Sequence, residues 1–346
     1  MRISFVVPTY RRPAALGETL DALIKLQHPP SDYEVVVVDD GSGDDTPAVA
    51  QQFAHAAASV RYVHQQNAGV AKARNTGAAH AAGELLIFLD DDILVAPDHI
   101  ERHLETRERY GDCLVNGHWE FSLGTRAALE QTPFGRFRIG LEDWVKMEND
   151  KQPLDGGRLR PSGITAANLS ITASSFDRIG GFDESFPFAG CEDQEFSYRA
   201  QLAGYAFIYD PAIRLLHNDE RVTLDQFCAR QRRGAQTSVY LVARHPDEYA
   251  DRPLLLENAP ATRFDPLSLR LKKLMKAAYA STAGLATAAF VTRLFERRAP
   301  RSPMLARLYT MTIGAHIFLG VRDGLAQLPQ ARAAAYKAMR DRYGSA

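Results

Sequence analysis

The chain has 346 residues, of which 45% are hydrophobic and 24% are charged, a composition typical of a globular protein and not of a disordered one. Its 41 basic and 42 acidic side chains give a formal net charge of −1, which argues against wholesale nucleic-acid binding. The length predicts about two domains.

Cysteine usage indicates a reducing compartment. Cys113, Cys191 and Cys228 form no CxxC pair and are odd in number, which favours neither a disulfide framework nor a thiolate zinc site. We expect no secretory signal, because the first residues lack a long apolar stretch, and no apolar run reaches the roughly 18 residues of a membrane span. The expected location is the cytoplasm.

Short apolar runs alternate with helical patterns over the first 115 residues. The predicted strands are 3–7, 34–40, 60–64, 84–92 and 113–117, and the predicted helices are 13–26, one starting near 45–46, 69–82 and 97–110. Near-continuous Val, Ile and Leu runs of this kind favour a parallel sheet covered on both faces. Ligands of such sheets bind beyond the carboxyl ends of the strands, so polar residues just after each run are candidate site residues.

The rest of the chain is less regular. Residues 117–165 show no clear period. Regular patterning returns at 163–171, and beyond it we predict helices at 173–179 and 191–205, a strand at 206–210 and a polar helix at 222–244. From Pro266 onwards a helical period returns, with uncharged stretches at 277–292 and, apart from His316, at 308–321. Both stretches are short for a membrane span and predict buried or interfacial helices.

The sharpest local motif is LLIFLDDD, which ends in Asp90, Asp91 and Asp92. Three carboxylates after a buried strand repel one another unless a cation compensates them, and magnesium or manganese prefers such oxygen ligands. The alternative is an acidic, solvated turn. A P-loop ATPase is excluded because the chain has no GxxxxGK[ST], and a dinucleotide-binding site because PTYRRP follows the first strand in place of GxGxxG.

Three further motifs, VVPTYRR, VVVVDDGSGDDT and NAGVAKARNTG, stand in order around the first strands. Together with LLIFLDDD, this set resembles the inverting family 2 glycosyltransferases over about residues 3–240, with 117–160 outside the motifs. The resemblance implies the α/β nucleotide-sugar-binding fold called GT-A, a mostly parallel sheet with helices on both faces, here followed by a basic helical C-terminal region.

The resemblance also implies a nucleotide-sugar-binding set in these loops: Pro8, Thr9, Tyr10, Arg11, Asp39, Asp40, Arg74, Asp90 and Asp91. Asp40 is favoured over Asp39 for the nucleobase, since an ionised carboxylate accepts the imino N–H of a uracil. Simple turn chemistry is the alternative for these two aspartates, and a solvated helix face is the alternative for Arg74.

By the same resemblance the DxD motif falls on Asp90 and Asp92. Asp92 would bind a divalent cation, manganese or magnesium, while Asp90 or Asp91 would address the ribose or the metal. His217 would be a further metal ligand, with a surface histidine as the alternative. The cation would bridge the diphosphate and neutralise the charge that builds on it.

The segment GCEDQEF carries the predicted catalytic base. The resemblance assigns that role to Asp193, with Glu192 as alternate or helper; the alternative is that both merely favour a helix N-terminus. Arg230 and Arg233 would contact the diphosphate, or else belong to a solvated basic helix. The sequence from Gln231 is QRRGA and not QxxRW, which weakens the case for a processive polymerase.

These assignments predict an inverting, metal-dependent glycosyltransferase that moves a sugar from a nucleotide-sugar donor, UDP-linked by preference, to a hydroxyl of a glycan or lipid-linked acceptor. Its expected context is cell-surface polysaccharide or glycolipid biosynthesis. One alternative is a polyprenol-phosphate sugar synthase, whose anionic acceptor has little need of a carboxylate base. The other is a non-catalytic nucleotide-sugar-binding protein.

The near-zero net charge hides two opposite parts. Residues 266–346 contain 14 Lys/Arg and 3 Asp/Glu, a net charge of +11, and residues 1–265 carry a net charge of −12. We therefore predict a catalytic domain over 1–265, divided near 116/117 into nucleotide-binding and acceptor-side halves, and a basic helical region over 266–346. Basic residues beside apolar helices favour contact with an anionic membrane surface on the cytoplasmic face. The alternatives are docking on the acidic domain or on a second copy in a homodimer.

Overall fold

A computed structural model describes residues 2–57, 59–148 and 152–344. The chain forms two compact units, one of Met1–Arg126, Trp144–Pro187 and Glu192–Glu220, the other of Ala127–Asp143, Phe188–Cys191 and Arg221–Ala346. The predicted domain boundary after residue 265 stays a prediction. The two compact units of the structure have different boundaries. Residues 149–151 of the segment 117–160 lie outside the described residues.

The first unit is built on one mixed sheet. Its strands are β1 (Ile3–Thr9), β2 (Tyr33–Asp39), β3 (Val60–His64), β4 (Leu85–Leu89), β5 (Ile93–Val95), β6 (Leu114–Phe121), β7 (Gln152–Pro153), β8 (Leu159–Arg160), β9 (Asn168–Thr172) and β10 (Phe207–His217). They are ordered β3-β2-β1-β4-β9-β6-β10-β8-β7, and β5 pairs with β10. Strand β9 is antiparallel to both β4 and β6, while β10 is parallel to β6. Strands β1, β2, β4 and β10 therefore all end at the same edge of the sheet.

The helices of the chain have the following bounds: α1 (Pro13–Leu23), α2 (Thr46–Ala56), α3 (Val70–His80), α4 (His99–Tyr110), α5 (Leu123–Glu130), α6 (Pro133–Glu148), α7 (Ala173–Ile179), α8 (Glu192–Leu202), α9 (Leu224–Arg244), α10 (Pro246–Tyr249), α11 (Pro253–Leu256), α12 (Leu267–Tyr279), α13 (Thr282–Arg298), α14 (Pro303–Gln327) and α15 (Pro329–Tyr343). A 3₁₀ turn spans Asp155–Gly157.

Alternation along β1 explains why helices cover both faces of the sheet. Successive side chains of a strand point to opposite faces, so Phe5 packs in one buried cluster with Leu16 of α1. Val6 packs in another cluster with Ala71 of α3 and Phe196 of α8. The predicted sheet with helices on both faces is confirmed. Its parallel strands are interrupted by the antiparallel β9.

Helix α3 lies unusually close to the sheet. A Cβ added at Gly77 would stand 2.3 Å from Val6 Cγ1 and 3.1 Å from Val38 Cγ2, so only glycine permits this approach. The same helix carries Arg74, which is thereby held against the sheet.

Two stretches differ from the sequence predictions. The segment 117–165 contains the end of β6 and helices α5 and α6; their buried side chains include the charged Arg138 beside Phe134 and Leu129, so no apolar period marks them. Strand β10 continues past residue 210 to His217, because a register shift between Asp210 and Arg214 accommodates Pro211 within the strand.

The second unit is helical, with α14 packed along α9 and a buried cluster that includes Val239, Val321 and Leu325. Of the helices in the described ranges, only α14 is long and apolar enough to cross a membrane by length and composition, and 39% of its most apolar window is buried. The core helices of soluble proteins can have the same length and composition, so α14 does not by itself indicate a membrane span.

Candidate functional site

Several of the predicted site residues meet at the carboxyl edge of the sheet. Thr9 ends β1, Asp39 ends β2, Asp90–Asp92 follow β4 and His217 ends β10. Since these strands run in the same direction, topology alone brings their ends together.

Asp91 and Asp92 share one cation, the guanidinium of Arg12. Arg12 Nη1 donates to Asp91 Oδ1 at 2.8 Å, and Nη2 donates to Asp92 Oδ2 at 2.8 Å. Thr9 Oγ1 also donates to Asp91 Oδ2 at 2.7 Å. Both carboxylates are buried, so a compensating charge is required. Arg12 is not among the site residues predicted from the sequence, where its only signal is the second arginine of PTYRR.

The conformation of the loop after β1 places the Arg12 side chain against these carboxylates. Arg11 has φ +53°, the one left-handed non-glycine backbone among the described residues. The Arg11 N–H donates to Ser42 Oγ at 2.8 Å and the Arg12 N–H to Thr46 Oγ1 at 3.1 Å. The loops after β1 and β2 are thereby tied together, while Tyr10 and Arg11 remain exposed beside them.

The two carboxyl groups titrate differently. Burial raises the pKa of Asp91 to about 7, although Arg12 opposes the shift. Burial alone would also raise the pKa of Asp92, but its hydrogen bond and charge interaction with His217, joined by Arg12, hold that pKa well below its usual range. Asp92 is therefore ionised at neutral pH, with His217 Nε2 3.2 Å from its Oδ2.

Asp92 and His217 fit one divalent cation. Magnesium is commonly held by one or two protein groups, with waters and substrate phosphates filling its other positions. No group of three or more His, Cys, Asp or Glu side chains within 2–57, 59–148 and 152–344 is arranged to hold a metal. Asp90 Oδ1 accepts from Arg74 instead, so the ligand role of Asp90 stays a prediction.

Arg74 connects two motifs that are far apart in the sequence. Its Nη2 donates to Asp90 Oδ1 at 2.8 Å and its Nη1 donates to Glu192 Oε1 at 2.7 Å. Arg74 and Glu192 are each 3% exposed. The predicted donor-side and acceptor-side carboxylates are therefore joined through one buried guanidinium.

We expect Arg74→Met to destabilise the fold by about 3–5 kcal/mol, because it removes the buried guanidinium that bonds both Asp90 and Glu192. The control is Lys72→Met on the same helix, whose pair with Glu184 is half exposed and should contribute less than about 1 kcal/mol. Urea denaturation measures both. Equal losses for the two variants would show that the buried bridge is not required for stability.

Asp193 stands beside Glu192 in the first turn of α8. Its Oδ1 accepts the N–H of Gln194 at 2.8 Å. Burial, and then the charge of Glu192, raise the pKa of Asp193 to about 7. A carboxyl group that titrates near neutral pH is suited to general-base chemistry.

Asp39 and Asp40 are both buried and both held by the protein. The donors to Asp40 are Gln65 Nε2 (2.7 Å), the Ala68 N–H (2.8 Å) and the Gly69 N–H (2.9 Å), and those to Asp39 are the Ser42 N–H (2.9 Å) and the Tyr62 hydroxyl (2.9 Å). The Ser42–Asp39 bond agrees with the alternative of turn chemistry, whereas the donors to Asp40 come from the segment after β3. A carboxylate has about four acceptor sites, so the predicted nucleobase role remains open to either residue.

The remaining predicted residues stay predictions. Pro8 lies in buried β1. Arg230 and Arg233 lie on α9, in the second unit.

Comparison with known proteins identifies relatives of this architecture. Residues 4–150 match the model of the family described as Glycosyl transferase family 2. Over 223 residues, 58% of the chain, it is 34% identical to Validoxylamine A glucosyltransferase of Streptomyces hygroscopicus subsp. limoneus, of which it covers 48%. It is 35% identical over 210 residues, 60% of its length, to Glycosyltransferase AglE of Haloferax volcanii, of which it covers 64%.

A solved structure shares the fold. The Mannosyltransferase PcManGT from Pyrobaculum calidifontis, in complex with GDP-Man and Mn2+, superposes with a TM-score of 0.51 at 19% identity over 98% of this chain and 87% of that one. This likeness confirms the predicted GT-A fold. The chain covers less than two thirds of the length of either sequence relative.

Proposed function

We propose that this chain, whose residues 4–150 match the glycosyltransferase family 2 model, transfers a sugar with inversion from a nucleotide-sugar donor to an acceptor hydroxyl. The observation that carries the proposal is the buried bridge Asp90–Arg74–Glu192, which holds the predicted donor-side and acceptor-side carboxylates together at one site. A scaffold that only bound a nucleotide would have no need of the acceptor-side carboxylate pair.

Asp193 acts as the general base in this proposal. Its carboxylate takes the proton of the acceptor hydroxyl, and the acceptor oxygen attacks the anomeric carbon from the face opposite the diphosphate. The bond from the anomeric carbon to the diphosphate breaks in the same displacement, which inverts the configuration. Arg74 holds the Glu192 carboxylate in place beside Asp193.

The predicted divalent cation, manganese or magnesium, would be held by Asp92 and His217, and when bound it would neutralise the charge of the departing diphosphate. Arg12 already compensates Asp91 and Asp92 at this position. Thr9 orients the Asp91 carboxylate through its hydroxyl, so that the loop after β1 and the acidic cluster form one donor-side surface.

The rate of transfer should depend on pH through Asp193. The base acts when deprotonated, and its pKa in the unliganded chain is raised to about 7, so kcat/KM for the acceptor should fall by up to about tenfold per pH unit below 7 and level off above it. Initial rates at saturating donor between pH 5 and 9 measure this. A flat profile across pH 7 would contradict the base assignment.

The donor is best found by ligand-dependent stabilisation. A ligand that binds only the folded state raises Tm, so a panel of UDP-, GDP- and dTDP-sugars with and without manganese should reveal one that stabilises the chain. We favour a UDP-linked donor. If no nucleotide sugar raised Tm in the presence of manganese, the proposed function would be wrong.

The acceptor, by this proposal, is a glycan or lipid-linked hydroxyl, and the setting is cell-surface polysaccharide or glycolipid biosynthesis in the cytoplasm. The charge of 266–346 predicts contact with an anionic membrane surface or with a second copy in a homodimer.

A further inference from the structure

Helix α12 presents its apolar face to solvent. Leu267, Leu271, Leu274 and Met275 follow the spacing i, i+4, i+7 and i+8, which places them on one side of a helix. All four are exposed, Leu267 by 71% and Met275 by 73%. Soluble monomers rarely expose large contiguous apolar patches without an interaction partner.

The opposite side of α12 carries the buried contacts. Lys273 is 1% exposed, and its Nζ lies 2.9 Å from Asp265 Oδ1 and 3.5 Å from Met339 Sδ. A helix that only packs against a hydrophobic core would bury its leucines and expose its lysines. Burying an ion pair is seldom more stabilising than burying apolar side chains, so this reversed arrangement indicates that the outward leucines serve a partner.

Helix α13 adds basic residues beside exposed apolar ones. Phe290 is 70% exposed, and Leu294, one turn further along, is also exposed. Arg293, Arg297 and Arg298 are exposed on the same helix, and no acidic side chain within the described ranges forms an ion pair with them. Lys272 of α12 is also exposed, next to the apolar face, although it pairs with Glu257.

We propose that the outward faces of α12 and α13 seat the chain on an anionic lipid bilayer. The apolar side chains would enter the boundary between headgroups and acyl chains, and the arginines would contact anionic headgroups. The net charge of +11 over 266–346 complements such a surface, and long arginine side chains reach headgroups while their stems stay apolar. This proposal is independent of the transfer activity.

A bilayer explains these faces better than a second copy of the chain does. A two-fold dimer through these faces would set the +11 region of one copy against the same region of the other, whereas anionic headgroups offset that charge. The second copy is retained as an outcome of the test.

The test is co-sedimentation of the full chain with phosphatidylcholine vesicles that contain or lack phosphatidylglycerol. The test variant is Leu271→Gln with Met275→Gln; glutamine favours helix and adds no charge. The matched control is Leu123→Gln with Leu202→Gln, which removes two exposed leucines of the first unit. A third variant, Arg293→Gln with Arg297→Gln, tests the charge contribution. Circular dichroism checks that all variants keep their helix content.

We expect the parent and the Leu123/Leu202 control to bind vesicles that contain phosphatidylglycerol at least about tenfold more tightly than they bind vesicles of phosphatidylcholine alone. The α12 and α13 variants should each lose most of that binding. Equal binding by parent and α12 variant, or no binding by the parent, would overturn the proposal. So would a dimer in lipid-free light scattering that the α12 variant dissociates, because a second copy would then cover this face.

Discussion

Asp193→Asn is expected to slow sugar transfer by about 100- to 10,000-fold, the usual contribution of a general base. The amide cannot accept the proton of the acceptor hydroxyl at neutral pH. Donor affinity should stay close to that of the parent, because Asp193 makes no hydrogen bond to the donor-side residues Thr9, Arg12 or Asp92. Steady-state transfer rates and calorimetric donor titration separate the two effects.

The control for this variant is Asp177→Asn, an exposed aspartate on α7 in the same unit. It should transfer sugar at the parental rate. If Asp193→Asn also retained the parental rate, Asp193 would not be the base. If it lost donor binding to the same degree as transfer, its role would be in binding and not in proton transfer.

Asp92→Asn is expected to remove the part of donor affinity that depends on manganese, a loss of at least about tenfold. The surroundings of Asp92 lower its pKa and keep its carboxylate ionised. His217 Nε2 lies 3.2 Å from Asp92 Oδ2, so in this proposal the two side chains would hold the cation at the diphosphate. Calorimetric titration with the stabilising nucleotide sugar, with manganese and with a chelator, measures the difference.

The matched control is Asp21→Asn, an exposed aspartate of α1 paired with Lys25. Its donor affinity should keep the full manganese dependence. An Asp92→Asn variant with unchanged affinity in manganese would show that Asp92 does not hold the metal, and Asp90 would then become the ligand to test.

The sheet could be predicted from the sequence because its strands are unbroken apolar runs. The segment VRYVH is β3 residue for residue, and α7 spans the predicted 173–179. Helices α5 and α6 were not predicted, because burial there involves Arg138 and no continuous apolar stripe. The bounds of β10 could not be fixed from the sequence alone, because Pro211 normally argues against a strand and the register shift that accommodates it is not visible there.

The sequence motifs of the site could be predicted, but the ion pairs and hydrogen bonds between them could not. The carboxylates were found because strand ends meet at one edge of the sheet. The cation that compensates these carboxylates is Arg12, and its position depends on the left-handed backbone of Arg11, which turns Arg12 towards Asp91 and Asp92. A residue other than glycine gives no sequence signal for that conformation. The Arg74 bridge to Glu192 likewise depends on tertiary packing between α3 and α8.

The most direct measurement is the release of nucleoside diphosphate by the purified chain from the nucleotide sugar that raises its Tm, with manganese and a glycolipid fraction as acceptor. The parent and Asp177→Asn should release it over many turnovers, and Asp193→Asn should release almost none. Absence of turnover with every donor that binds would contradict a transferase and favour a nucleotide-sugar-binding protein.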